Sequence, residues 1–283
     1  MSQDSKNLGN ILGESWQIFH KCFKKMFLFS SCVYALMGIV MLLFSVRNEF
    51  LDEKPIANSI PVSFVIDIIV LMTFFAVIYY LFQVAIMKII QASQKGEGPS
   101  YQECLKGCWP SIVSLVFIGI LILVRAAIWP LIFLLPSGAL LYIKPSNASQ
   151  LLWVNGIIQL FTFAGLITVF TIIVFYFFSN YAFLVDGKKG HKALRFSKTL
   201  VKTNIWSFLG YSIVLIIITT ATGLIAQAII RFLFGKTSLN NLGVFPMAGF
   251  ILEYVIQGVV SVFYFIFFYC LYEELKKRTN LPA

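Results

Sequence analysis

Six apolar runs, each more than 20 residues long, leave this chain few ways to fold. They fall at approximately 26–46, 63–87, 111–135, 153–178, 208–230 and 246–270. About 20 predominantly apolar residues rising 1.5 Å each cross a hydrocarbon core of about 30 Å. Hydrophobic residues make up 59% of the chain and charged residues 12%, with a mean hydropathy of +0.86. A soluble domain is typically about a quarter charged, so this chain has too little polar material to cover a globular surface. The runs are expected to be helices, because lipid gives backbone N–H and C=O groups no partner. A membrane β-barrel would show strands of about ten residues alternating apolar and polar, and the runs lack that alternation. The predicted fold is an all-α membrane protein: one six-span domain over 1–283, with amphipathic helices at the cytoplasmic interface. The fourth run stays apolar from Leu151 to Val185; as one straight helix it would be roughly 50 Å long, so it is expected to tilt or to emerge into water near Ser179-Asn180. No A-x-A-like cleavage site follows the leading cations Lys21, Lys24 and Lys25, so span one is expected to be retained.

The net charge of +10 raises the question of an acidic partner, and the positions of the cations answer it. Sixteen Lys/Arg fall in the N-terminal tail, the 88–110 and 179–207 loops and the C-terminal tail; five fall in the three alternate loops; Arg125 lies within a span. A 16:5 bias alternating loop by loop is the positive-inside pattern. It predicts that both termini are cytoplasmic. Cys22, Cys104 and Cys108 then lie in cytoplasmic segments, and Cys32 and Cys270 near the inner ends of spans, where thiols stay reduced. The spacing C-L-K-G-C resembles half a zinc site, but zinc needs four ligands and only His20 and His191 supply imidazoles; no metal and no cofactor are expected. Trp16, Trp109 and Trp206 are placed at the inner interface and Trp129 and Trp153 at the outer one, where indole rings concentrate.

The densest basic strip is VDGKKGHKALRFSKTLVKTNIWSF, Val185 to Phe208, with Lys188, Lys189, Lys192, Arg195, Lys198 and Lys202. GKKGHK lacks the G-x-x-x-x-G-K-[ST] spacing of a phosphate loop. Nucleic-acid binding calls for a larger uninterrupted basic surface with base-reading or stacking groups, so none is expected. Leu194, Val201, Ile205 and Phe208 form an apolar stripe beside Arg195, Lys198 and Lys202, the pattern of a helix lying in the interface with its cations among anionic headgroups. A similar stripe, Leu12, Trp16, Phe19, Phe23 and Met26, precedes span one. Membrane lipids are therefore the expected partners, with lipid-headgroup contacts from both stripes and from Trp16, Trp109 and Trp206. A protein partner or a second copy of the chain is a further possibility.

The two stripes align. Leu12 matches Leu194, Ser15 Ser197, Phe19 Val201, Phe23 Ile205 and Ser30 Ser212, with SYQECLKGCWPSIVSLVF (100–117) between them. Three units over 1–90, 91–185 and 186–283 are expected, each a short amphipathic helix followed by a helical hairpin.

Three ionisable groups fall within spans: Asp67, Arg125 and Glu253. Charges inside lipid are costly and face partners or water. At 1.5 Å per residue they lie about 8, 9 and 13 Å below the outer face. Arg125 with Asp67 is the best match in depth, and Arg125 with Glu253 the alternative. Thr219, Thr220 and Thr222 around Gly223 add polarity to span five. No set of acids, bases or nucleophiles points to catalysis, and no enzyme activity is expected.

At Val185-Asp186, Ala193-Leu194, Ser197, Leu200, Lys202 and Trp206 the chain resembles the YciC-like family of bacterial inner-membrane proteins. That family is similar to the membrane domain of some glycerophosphodiester phosphodiesterases. The resemblance implies a multi-pass inner-membrane protein and supplies no catalytic residues. The expected function is a non-enzymatic role in envelope or lipid homeostasis, as a lipid-interacting scaffold or membrane partner. The alternative is a transporter or channel for a small or lipidic solute using Arg125, Asp67 and Glu253.

Overall fold

A computed structural model describes residues 7–51, 62–95, 108–141, 148–234 and 244–279. All regular structure among them is helical: α1 (Leu8–Leu51), α2 (Val62–Gln94), α3 (Cys108–Leu141), α4 (Ala148–Tyr176), α5 (Ser179–Leu184), α6 (His191–Thr203), α7 (Ile205–Phe234) and α8 (Val244–Arg278). α1, α2, α3, α7, α8 and the α4–α5 segment are long and apolar enough to cross a membrane, and the chain is a multi-pass membrane protein. Their outward faces carry Leu152, Trp153, Phe163, Ile217 and Phe232 in the open, which only a lipid environment satisfies.

The chain forms two compact units. One runs to Ile112 and resumes at Trp206; the other runs from Val113 to Ile205.

In the first unit α1 packs along α8, with α2 alongside. The first amphipathic segment is not a separate interfacial helix: α1 runs unbroken through it into span one. No Gly or Pro interrupts the chain between Gly13 and Gly38, so nothing ends the helix there. Its buried seam is Ile11, Ser15, Phe19, Cys22 and Met26, whereas Trp16 and Phe23 of the expected stripe are exposed. Further along, α1 and α8 cross antiparallel through two reciprocal Tyr–Gly contacts. A Cβ at Gly258 would lie 2.9 Å from the ring of Tyr34, and a Cβ at Gly38 would lie 3.2 Å from the ring of Tyr254. The glycines let each ring lie on the opposite backbone, as small residues do where membrane helices meet. Tyr34 Oη donates to Ser261 Oγ at 2.8 Å, and its ring meets Phe82 edge-on. Lys21 donates to the Ser93 carbonyl at 2.9 Å, satisfying an orphan acceptor in the last turn of α2.

In the second unit the fourth run is interrupted just before Ser179. α4 stops at Tyr176 and α5 starts at Ser179. Ser197 of α6 bridges this break: its Oγ accepts from the Phe178 N–H at 3.1 Å and donates to the Phe175 carbonyl at 2.9 Å. Two glycines shape the next turn. Gly187 (φ +67°) and Gly190 (φ +51°) both need backbone that L side chains rarely adopt, and the N–H groups of Gly187 and Lys188 return to the Phe183 and Ala182 carbonyls. The chain then enters α6.

Candidate functional site

α6 carries the basic strip, and its two faces separate cleanly. Ala193, Leu194, Ser197, Leu200 and Val201 are buried; Lys192, Arg195, Lys198 and Lys202 are exposed. At 100° per residue each set spans an arc of about 120°. The burial corrects an expectation. The apolar face of α6 packs on α4 and α5 of its own unit rather than entering the acyl boundary. What faces outward is a row of four cations about 15 Å long, on a helix that cannot roll without exposing its core. Lys189 in the turn is exposed, and Lys188 lies over the Phe196 ring, its Nζ 4.2 Å from the centroid.

The same turn holds Arg125. Its Nη1 donates to Tyr176 Oη at 2.7 Å, its guanidinium carbon lies 5.1 Å from the Tyr176 ring centroid, and its Nη2 is 3.3 Å from His191 Nδ1. A guanidinium only donates, so Nδ1 accepts and the imidazole proton is on Nε2. Depth counting had placed Arg125 in the outer half of the bundle with an acid for a partner. Here its partners are a phenol and the first residue of the basic helix. The turn runs back alongside α3, where a Cβ at Gly190 would lie 3.6 Å from Phe117, so position along α3 does not measure distance from the strip.

A second polar site lies in the other unit, between α7 and α8. A cavity of about 220 Å³ is lined by Thr219, Gly223, Gln227, Glu253, Gln257 and Ser261 together with aliphatic side chains. Glu253 Oε1 accepts from Gln227 Nε2 at 2.7 Å. The sequence pointed to Glu253, to Thr219 and to Gly223 separately; Gln227 was missed, although it lies eight residues after Thr219 on the same helix face. Asp67 is half-buried on α2.

The interfacial residues divide. Trp16, Trp109, Trp153 and Trp206 are exposed, Trp206 at 84%, and the Trp129 side chain lies outside the described residues. Lys24 is exposed and Lys25 partly so, whereas Lys21 is committed to Ser93. Cys22, Cys108 and Cys270 are buried and Cys32 is exposed; Cys104 lies outside the described residues.

A family model, a domain of unknown function (DUF7847), matches residues 105–275. The match takes in α6, the Arg125 cluster and the α7–α8 cavity. No curated protein and no solved structure matches the chain.

Proposed function

Because the chain belongs to the DUF7847 family, whose function is unknown, we propose a role from its own geometry. It is a non-enzymatic multi-pass protein of the bacterial inner membrane that acts in envelope or lipid homeostasis by gathering anionic phospholipid headgroups on the cytoplasmic face of α6. The observation that carries this is the docking of α6: its apolar side is buried in protein while Lys192, Arg195, Lys198 and Lys202 stay exposed. A cationic segment on a flexible tail would serve as a general anchor. A rigid row presents fixed charges at a fixed spacing, which is what selection of one headgroup class requires. The loop-by-loop cation bias supports the cytoplasmic placement, and the likeness of residues 181–210 to YciC-like proteins supports the same membrane.

Near an anionic surface each Lys or Arg contributes about 1 kcal/mol, so the four together favour an anionic over a zwitterionic lipid by up to about 4 kcal/mol. The test is lipid retention by native mass spectrometry after reconstitution in equal phosphatidylglycerol and phosphatidylcholine. The wild type is expected to keep phosphatidylglycerol selectively, and K192Q/R195Q/K198Q/K202Q to lose that preference with unchanged thermal unfolding. Equal retention by wild type and variant would refute the role. Loss of a copurifying protein in the variant, without change in lipid, would replace it with protein scaffolding.

A further inference from the structure

The cavity between α7 and α8 pairs an acid with a neutral partner inside a membrane span. Glu253 offers a carboxylate with about four lone-pair positions, and the donor bound to it is the uncharged amide of Gln227. An acid at such depth is held by a counter-charge, by water or by a functional ligand. The rest of the wall indicates which charge fits. With its Nε2 committed to Glu253, Gln227 presents its carbonyl oxygen. The Thr219 hydroxyl donates to the Leu215 carbonyl at 2.9 Å, so toward the cavity it can only accept. Glu253 brings the one carboxyl group to this lining, Gln227, Gln257 and Ser261 keep amide and hydroxyl groups that can donate as well as accept, and Ile230, Ile256 and Val260 supply an aliphatic wall.

We propose that this cavity binds a small lipophilic amine, with the ammonium on Glu253 and the alkyl part along the aliphatic wall. An ammonium brings three donors and a positive charge to the carboxyl group of Glu253 and the side-chain oxygens of Gln227, Thr219 and Gln257. An alcohol brings one donor and no charge, and a carboxylate meets repulsion. A space of about 220 Å³ holds an ammonium and a short alkyl chain. Gly223 adds an independent observation. It lines the cavity, yet a Cβ there would meet nothing within 4 Å. The glycine is therefore not required by helix packing, and its missing side chain leaves room that a ligand can use. The site lies in a different unit from α6 and does not depend on the lipid-gathering role.

The probe is hexylamine, protonated at neutral pH like a lysine side chain (about 10.4), with hexanol and hexanoate as matched neutral and anionic controls. Binding is measured by equilibrium dialysis against wild-type protein in nanodiscs, with empty nanodiscs subtracted. Hexylamine is expected to bind saturably and to exceed both controls. E253Q keeps the side-chain volume and is expected to weaken hexylamine binding by about ten- to a hundredfold, the range for losing a charge-assisted hydrogen bond. G223L keeps the acid and fills the cavity, and is expected to abolish binding while unfolding at the wild-type temperature. Hexanoate or hexanol binding as well as hexylamine, no saturable binding at all, or hexylamine binding unchanged in E253Q or in folded G223L would each overturn the proposal.

Discussion

Gly258→Ala isolates the contact on which the α1–α8 pair depends. The added methyl would stand 2.9, 3.0 and 3.2 Å from three carbons of Tyr34, against about 3.5–4.0 Å for relaxed carbon contacts. Tyr34 has little freedom to turn away, because its hydroxyl is bonded to Ser261 and its ring rests on Phe82. The helices must then part by about 0.5–1 Å, which forfeits a quarter to a half of each contact across the crossing. Roughly twenty atom pairs at about 0.15 kcal/mol each would lose about 1 kcal/mol. Weakening the Tyr34–Ser261 bond adds about 0.6 kcal/mol, a typical value between membrane helices. The expected destabilisation is about 1–2 kcal/mol, within the range measured for overpacking. Equilibrium unfolding in an SDS series, followed by circular dichroism, measures it. Removing the ring should relieve the clash, so G258A/Y34A is expected to be more stable than the sum of the single effects by about 1 kcal/mol. If G258A unfolds at the wild-type midpoint, or the double variant is simply additive, the close approach is not what holds these helices together.

Two further changes probe the second unit. S197A is expected to cost about 1–3 kcal/mol by leaving the Phe178 N–H without its acceptor at the α4–α5 break, and hydrogen exchange at Phe178 should accelerate before the flanking helices respond. L194A is expected to cost about 2–5 kcal/mol because Leu194 is fully buried against protein; an unaffected midpoint would mean that this face meets lipid.

The spans and the cationic face of α6 were legible in the sequence for the same reason: both are contrasts between apolar and charged residues. Helix faces inside the membrane offer no such contrast, since lipid and a neighbouring helix are equally apolar. That is why the expected stripe shared Phe19 and Met26 with the buried seam but had Leu12, Trp16 and Phe23 one step away from Ile11, Ser15 and Cys22. A signal for the crossing was available in the paired motifs YALMG (34–38) and YVIQG (254–258), each a tyrosine one turn before a glycine. It carries no hydropathy and was passed over. Depth counting treats every segment as a straight rod between two planes and so could not show that the turn at Gly187–Gly190 brings His191 beside Arg125 on α3. Ser197 stood out in the aligned stripes and in the family resemblance, but its role at the helix break depends on where the fourth run stops, which its uniform apolarity does not mark.

The proposal that the cationic row of α6 faces the cytoplasm is tested most directly by labelling Lys198→Cys, in a background with the five native cysteines replaced, with a membrane-impermeant maleimide. Intact spheroplasts should leave the residue unmodified and inverted inner-membrane vesicles should label it fully, since Lys198 is exposed on the face opposite the buried core. Labelling in intact spheroplasts, or protection in both preparations, would contradict the account.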